Sequence, residues 1–390
     1  MKKTIVLLLT AAVLVSGAAA YAAGALTGES LISKSYITDT YVPDVEKQVS
    51  QRVQERTEQL YQSALTALNQ AHSAYLAQAG SSGGSGSGGT AGTGTYVSAL
   101  TDLRFKKGDV ITLSTGSGGM LLAGDAWISY TGGGVVDVTA GETVLSGTAM
   151  VPRHRYLAGE NTTASLTITS DTAVLSVEGY YSLAVSGSVD YNALADALFE
   201  MGLFQGSGTT YGSGYDLENP TTRIMGVVMF LRLIGEEQAA LSSTAVNPFV
   251  DTPAWCDRYV AYAFEKGYTN GVGESASGAL YFAPDRQISA EEYMTLILRA
   301  LGYTDSGAAP DFTWDTALSK AVSWGILSSG EQAMLSQSQF LRAQVVYLSY
   351  FALNAPMKGG GVLLDRTVSS GGLNRGQLEQ IMAAVTVPRL

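Results

Sequence analysis

Three segments of the C-terminal half repeat one pattern: NPTTRIMGVVMFLRLIG (219–235), RQISAEEYMTLILRALG (286–302) and SQFLRAQVVYLSYFALN (338–354). Each opens on polar residues and runs on with apolar residues at helical spacing. A unit repeated in this way cannot bury its apolar face alone and must stack on its copies. This constrains the chain to a helical body built from several units, with functional surfaces sought where the units join.

What precedes each helix repeats too: DYNALADALFEMGLFQG (190–206), FVDTPAWCDRYVAYAFEKGYTNG (249–271) and FTWDTALSKAVSWGILSSG (312–330). Each reads as a helix stopped by glycine, at Gly202, Gly267 and Gly325, with a second glycine at Gly206, Gly271 or Gly330. Glycine suits the left-handed residue just past a helix end. The unit is therefore helix, glycine stop, loop and second helix.

These units resemble S-layer homology (SLH) repeats, whose signature runs F-x-D-V, a tryptophan, an Ala-rich helix, G-h-x-x-G, a loop ending F-x-P, then I-T-R-A-E and an apolar helix ending R-x-L-G. The second unit carries Phe249, Asp251, Trp255, Gly267, Gly271, Phe282, Pro284, Ile288, Glu292, Arg299, Leu301 and Gly302. The first keeps Thr222, Arg223, Arg232 and Gly235 but has Met225 where the family has glutamate. The third keeps Arg342 and Ala343, between Leu341 and Gln344, and the second has Ala290 at the signature arginine. The resemblance covers residues 190–354.

The resemblance implies a pseudo-threefold all-α bundle with grooves between neighbouring repeats. In that family the grooves bind a secondary cell-wall polysaccharide, often one ending in a pyruvate ketal. Such a ligand needs a cation for its carboxylate and an aromatic face for its sugar ring. Arg223 and Arg342, at the family's arginine, are the candidate carboxylate forks. A cation in the first turn of a helix opposes the macrodipole, which argues for a functional or inter-repeat role. Trp255 is a sugar platform or a core anchor, Asp251 accepts a ligand hydroxyl or caps its helix, and Glu292 is the signature glutamate. Arg232 and Arg299, near helix ends, read as packing and dipole residues.

Residues 1–22 read as a secretory signal peptide: Lys2 and Lys3, an uncharged apolar run over 5–15, then Ala20-Tyr21-Ala22 as a cleavage site. The expected product is exported to the wall or S-layer surface of a bacterium. No later apolar run reaches the roughly 20 residues of a spanning helix, so attachment to the cell would be non-covalent. Cys256 is the only cysteine, which rules out a disulfide within one chain.

The formal charge is −11, and losing Lys2 and Lys3 makes the remainder more acidic still. With no basic stripe to neutralise phosphates, nucleic acid is excluded as a partner. Histidine occurs twice, at His72 and His154 in different modules, and His154 lies between Arg153 and Arg155. Neither a metal site nor a Ser/His/Asp relay can be assembled from them, and no carboxylate pair stands out by spacing. The chain reads as non-catalytic, without cofactor or metal.

Between leader and repeats, residues 23–80 hold a long amphipathic helix over 43–79, led by Pro43, whose apolar stripe packs on another domain or self-associates. SSGGSGSGGTAGTG (81–94) is a flexible tether. Residues 95–188 alternate apolar and polar over DVITL (109–113), AWISYT (126–131), VVDVTA (135–140), ASLTITSD (164–171) and AVLSVEGYYSLAV (173–185), which describes a small all-β sandwich or barrel folding on its own. The expected architecture is thus a long N-terminal helix, a small β domain and an all-α pseudo-threefold domain of three SLH-like repeats (189–240, 247–305 and 310–356), with 357–390 as a Gly-rich stretch and closing helix. Two functions fit. One is a surface protein anchored by its repeats to a wall polysaccharide; the other is a secreted structural or adhesive protein whose β domain binds the partner while the repeats are scaffold.

Overall fold

The computed structural model describes residues 42–45, 47–49, 52–53, 94–337 and 339–390. The chain divides into two compact units, Met1–Gly88 and Gly89–Leu390. In the first, the described residues are helical, and the Gln48 side-chain amide donates to the Asp44 carboxylate at 2.8 Å. The expected leader 1–22, most of the expected helix 43–79 and the tether 81–93 lie outside the described residues.

The second unit opens with ten strands: β1 Thr95–Lys106, β2 Val110–Leu113, β3 Gly118–Ala123, β4 Ala126–Gly132, β5 Val135–Asp137, β6 Glu142–Val144, β7 Thr148–Ala149, β8 Arg155–Ala158, β9 Thr162–Ile168 and β10 Thr172–Ala184. They form one antiparallel sheet in the order β6-β5-β8-β3-β10-β2-β9-β4-β7, with β1 on β10. Side chains alternate in and out along β9, as a strand with one face on a core requires. Phe105, Ile111, Leu113, Leu121, Ile128, Leu166 and Leu175 fill the interior. Tyr130 of β4 donates its hydroxyl to the Val144 carbonyl of β6 at 2.9 Å, drawing the two ends of the strand order together so that the sheet nearly closes.

β10 is the strand on which the rest converge. It pairs with β1 along most of its length, with β3 over Val174–Glu178 and with β2 over Tyr181–Ala184. Between the last two stretches sits Gly179, at φ 82°, where a Cβ would come within 2.9 Å of the Ser117 Cα. Only glycine permits that torsion and that approach together. β1 bulges opposite it, its register shifting between Val97 and Thr101.

The helices follow: α1 Tyr191–Glu200, α2 Arg223–Leu233, α3 Glu237–Ser242, α4 Asp257–Glu265, α5 Ala290–Ala300, α6 Ala317–Ser323, α7 Ser329–Gln337, α8 Arg342–Ala352, α9 Leu363–Gly371 and α10 Arg375–Ala384. A short hairpin, β11 Gly273–Glu274 with β12 Leu280–Tyr281, interrupts them. The first helix of each repeat stops at Gly202, Gly267 or Gly325, at φ 74°, 72° and 69°, the torsion only glycine takes freely. The second helices α2, α5 and α8 touch pairwise and are nearly all buried, so each large apolar residue contributes about 1.5–3 kcal/mol. Tyr293 of α5 and Ser349 of α8 share a hydrogen bond of 2.7 Å in that interior. Ahead of these helices the chain segments bridge, Thr222 with Gln287 and Pro220 with Leu341, and Gln339 donates to the Gln287 side chain at 3.2 Å.

The sheet and the helices have separate apolar cores but share a polar seam. Arg104 of β1 lays both guanidinium ends on Asp196 of α1, at 2.9 and 2.8 Å. Asn192 donates to the Phe105 carbonyl at 3.2 Å and Gln344 of α8 to Asp171 at 2.8 Å.

This architecture corrects the expected fold class. In place of a long N-terminal helix, a small β sandwich or barrel and a separate all-α repeat domain, the described residues of Gly89–Leu390 form a large, nearly closed ten-stranded antiparallel sheet continued by a helical region in one compact unit. No long helix is present among the described residues of 23–80. The helical region contains a β hairpin, and 357–390 holds two helices instead of one. The physical reason lies in β10. Alternation marks strands, but a strand of 13 residues is long enough to pair with three others, and that gathers the short runs into one sheet.

Candidate functional site

The start of α2 is built against the second repeat. Thr222 caps it, its hydroxyl accepting the Met225 N–H at 3.4 Å. The next free donors go across the seam: Arg223 N–H to the Arg286 carbonyl at 2.7 Å and Ile224 N–H to the Pro284 carbonyl at 3.1 Å. Orphan N–H groups of a helix start are thereby satisfied by a neighbouring loop. That loop is held in shape by Asp251, whose carboxylate accepts the N–H groups of Phe282 and Ala283 at 2.8 Å each, with Ala283 in the left-handed region at φ 56°. Asp251 thus neither caps α4, where Cys256 holds the cap position, nor offers a free oxygen pair.

The seam plants the Arg223 guanidinium between the repeats. It donates to Glu292 at 3.0 Å, to the Thr269 hydroxyl at 3.2 Å and to the Gly271 carbonyl at 3.3 Å, and it lies over the Phe282 ring at 5.1 Å. Its Nε is buried and unpartnered among the described residues. Burial holds its pKa below the ordinary arginine value, opposed by Glu292 and reinforced by Arg286 and Arg299. Glu292 is engaged three ways: with Arg223, with Arg286, and in a capping box with Ser289, accepting its N–H at 3.1 Å.

Around this ion pair opens a cleft of about 480 Å³ lined by Arg223, Asn270, Arg286, Glu292, Arg299, Asp305 and Trp314, among others. Arg299 forks onto Asp305 at 2.9 and 2.6 Å and donates to the Tyr268 carbonyl at 2.5 Å. Three arginines face two carboxylates here, so the cleft is net positive in a chain of net charge −11. The Arg286 side chain is 46 % exposed against 10 % for Arg223, and Trp314 is 61 % exposed. Arg286 is thus the reachable cation and Trp314 the reachable aromatic.

The five residues singled out from sequence do not converge. Arg223 and Glu292 come together in the cleft, and Asp251 supports its loop. Trp255 is 64 % exposed and does not line it. Arg342, buried at the start of α8, gives its fork to two carbonyls, of Tyr215 at 2.8 Å and Gln205 at 2.9 Å, over the Phe204 ring. Burial lowers its pKa too, and among the described residues no carboxylate pairs with it. Ala290, buried at the equivalent place of α5, brings no guanidinium. Sequence reasoning passed over Arg286 and Trp314 and read Arg299 as packing. Six-residue separations, Arg286 before Glu292 and Asp305 after Arg299, were the available signal.

Among the described residues no group of three or more His, Cys, Asp or Glu side chains is placed to hold a metal ion, and no helix is long and apolar enough to cross a membrane. Cys256 is buried, which pushes its thiol up to about 11 and leaves it an unreactive packing residue. His154 pairs with the buried Asp137 at 2.7 Å. No protein-family model and no curated protein matches the chain.

Proposed function

We propose that this chain is a non-catalytic protein of the bacterial cell surface, held non-covalently on an acidic wall polysaccharide through the cleft between its first and second repeats. One observation carries the reading: a net-positive cleft in an acidic chain, with a half-exposed arginine and an exposed tryptophan on its walls. A charged sugar needs those two groups, a guanidinium for its carboxylate and an aromatic face for its ring. Arg223 and Glu292 form the floor that orients Arg286, and Arg286 makes the contact.

The test is sedimentation of the purified chain with native bacterial walls and with walls stripped of their secondary polysaccharide. Native walls should retain it and stripped walls should not. Arg286→Ala should weaken retention about 10-fold or more, the loss of one charge-assisted hydrogen bond of about 1.5–3 kcal/mol, and Trp314→Ala should weaken it independently. Equal retention by both kinds of wall, or by the parent and a variant carrying both Arg286→Ala and Trp314→Ala, would refute the anchoring.

The scaffold reading draws on the other two equivalent positions, where Arg342 is consumed by carbonyls and Ala290 has no charge. It becomes the better account if native walls fail to retain the parent chain.

A further inference from the structure

The third repeat lacks the arginine that the other two place nine residues after the start of the second helix. Arg232 and Arg299 hold that position in α2 and α5, and Phe351 holds it in α8. In the second repeat Arg299 donates to the carbonyl of Tyr268, the residue following the glycine stop. The corresponding carbonyl of the third repeat is that of Ile326, and a guanidinium reaches it from elsewhere in the chain. Arg389 donates to the Ile326 carbonyl and lies over the Phe351 ring at 5.6 Å.

Its counterion is as specific. Glu331, at the start of α7, is fully buried, with 0 % exposure. It accepts Arg389 Nε at 2.7 Å and Nη2 at 2.9 Å, plus the Ser328 N–H at 2.6 Å. On either side Leu390 is fastened, its N–H to the Tyr347 hydroxyl at 2.9 Å and its carbonyl to the Ser328 hydroxyl at 2.7 Å. Tyr347 and Phe351 are the counterparts of Thr295 and Arg299, which line the open cleft of the second repeat. Arg389 and Leu390 therefore lie where the third repeat would present its own cleft.

We infer that Ile326, Glu331, Tyr347 and Phe351 form a recognition site for an arginine-bearing peptide segment, filled in this chain by its own residues 385–390. This strap supplies the missing guanidinium, neutralises a carboxylate that burial would otherwise leave unpaired, and closes the third repeat's groove to other ligands. The inference holds whether or not the open cleft binds a polysaccharide.

A chain ending at residue 384 tests it, offered the synthetic peptide Val-Thr-Val-Pro-Arg-Leu of residues 385–390. The shortened chain should exchange the amides of α7 and α8 faster than the full chain, and the peptide should restore their protection. The same peptide with alanine for arginine should bind at least about 10-fold more weakly. Should the shortened chain not fold, Arg389→Ala in the full chain serves instead, with faster exchange expected in α7 and α8 and unchanged exchange in the sheet. Peptides that bind equally well with and without arginine, or exchange in α7 and α8 that neither change accelerates, would overturn the inference.

Discussion

Glu292→Ala is the substitution with the largest effect that the cleft predicts, and its size can be built from two parts. The first is the capping box with Ser289, whose removal costs about 0.5–2 kcal/mol at a helix start. The second is the ion pair with Arg223, whose side chains are 10 % and 19 % exposed. Removing one partner of a buried pair costs about 3–5 kcal/mol, because the other charge stays buried without a counterion. Arg223 keeps its bonds to Thr269 and Gly271, and the cleft admits water, so the lower end applies. The sum is about 4 kcal/mol for Glu292→Ala. Glu292→Gln retains a capping oxygen and should cost about 1.5–3 kcal/mol, and adding Arg223→Met to Glu292→Ala should recover part of the loss. Urea unfolding of the four chains, with hydrogen exchange in α2 and α5 to localise the effect, measures all of this. A cost below about 1 kcal/mol for Glu292→Ala, or no recovery in the double variant, would refute the account of Arg223 as a buried charge held by Glu292.

Two further outcomes follow from torsion and charge. Ala283 sits at φ 56°, where an L-residue with a Cβ pays roughly 1–2 kcal/mol and glycine gives back part of that as unfolded-state entropy; Ala283→Gly should therefore raise stability by about 0.5–1 kcal/mol, and a lowered thermal midpoint would contradict it. Burial alone would raise the Asp137 carboxyl, but the Ala140 N–H, the His154 ring and the Thr139 N–H together hold it below its ordinary value. Its folded pKa is depressed, so its contribution is present above the unfolded value of about 3.9 and is lost as pH falls through the lower folded value. Asp137→Asn should remove that part of the acid sensitivity. Midpoints of parent and variant should differ by a constant amount above about pH 5 and converge below pH 4; a difference unchanged down to pH 2 would contradict the assignment.

Much of the local structure was legible in the residues. The glycine stops at Gly202, Gly267 and Gly325 and the apolar runs of α2, α5 and α8 stand out because a left-handed torsion and a 3.6-residue period are properties of a few neighbouring residues. The same holds for β2, β4, β5, β9 and β10, whose alternation is plain. β1, β3, β6, β7 and β8 carry no such alternation. GGMLLA of β3 has glycines where side chains would mark a face, and TYVSALTDLRFK of β1 is mostly exposed, so neither shows a clean period of two. The site was less legible than the fold. Arg223 could be named, but its role depends on Glu292, 69 residues away, and Trp314 shows itself only when a third segment reaches the cleft wall.

Short-range periodicity and torsion thus determined, from the residues alone, that this chain makes repeated glycine-stopped helices and alternating strands. Tertiary structure alone decided that β10 gathers ten strands into one sheet, that Arg286 and not Arg223 is the reachable cation, and that Arg389 replaces the arginine missing at Phe351. Each of these depends on which surfaces meet across tens of residues. Packing and the pairing of buried charges select those partners, and neither leaves a mark in the neighbouring sequence.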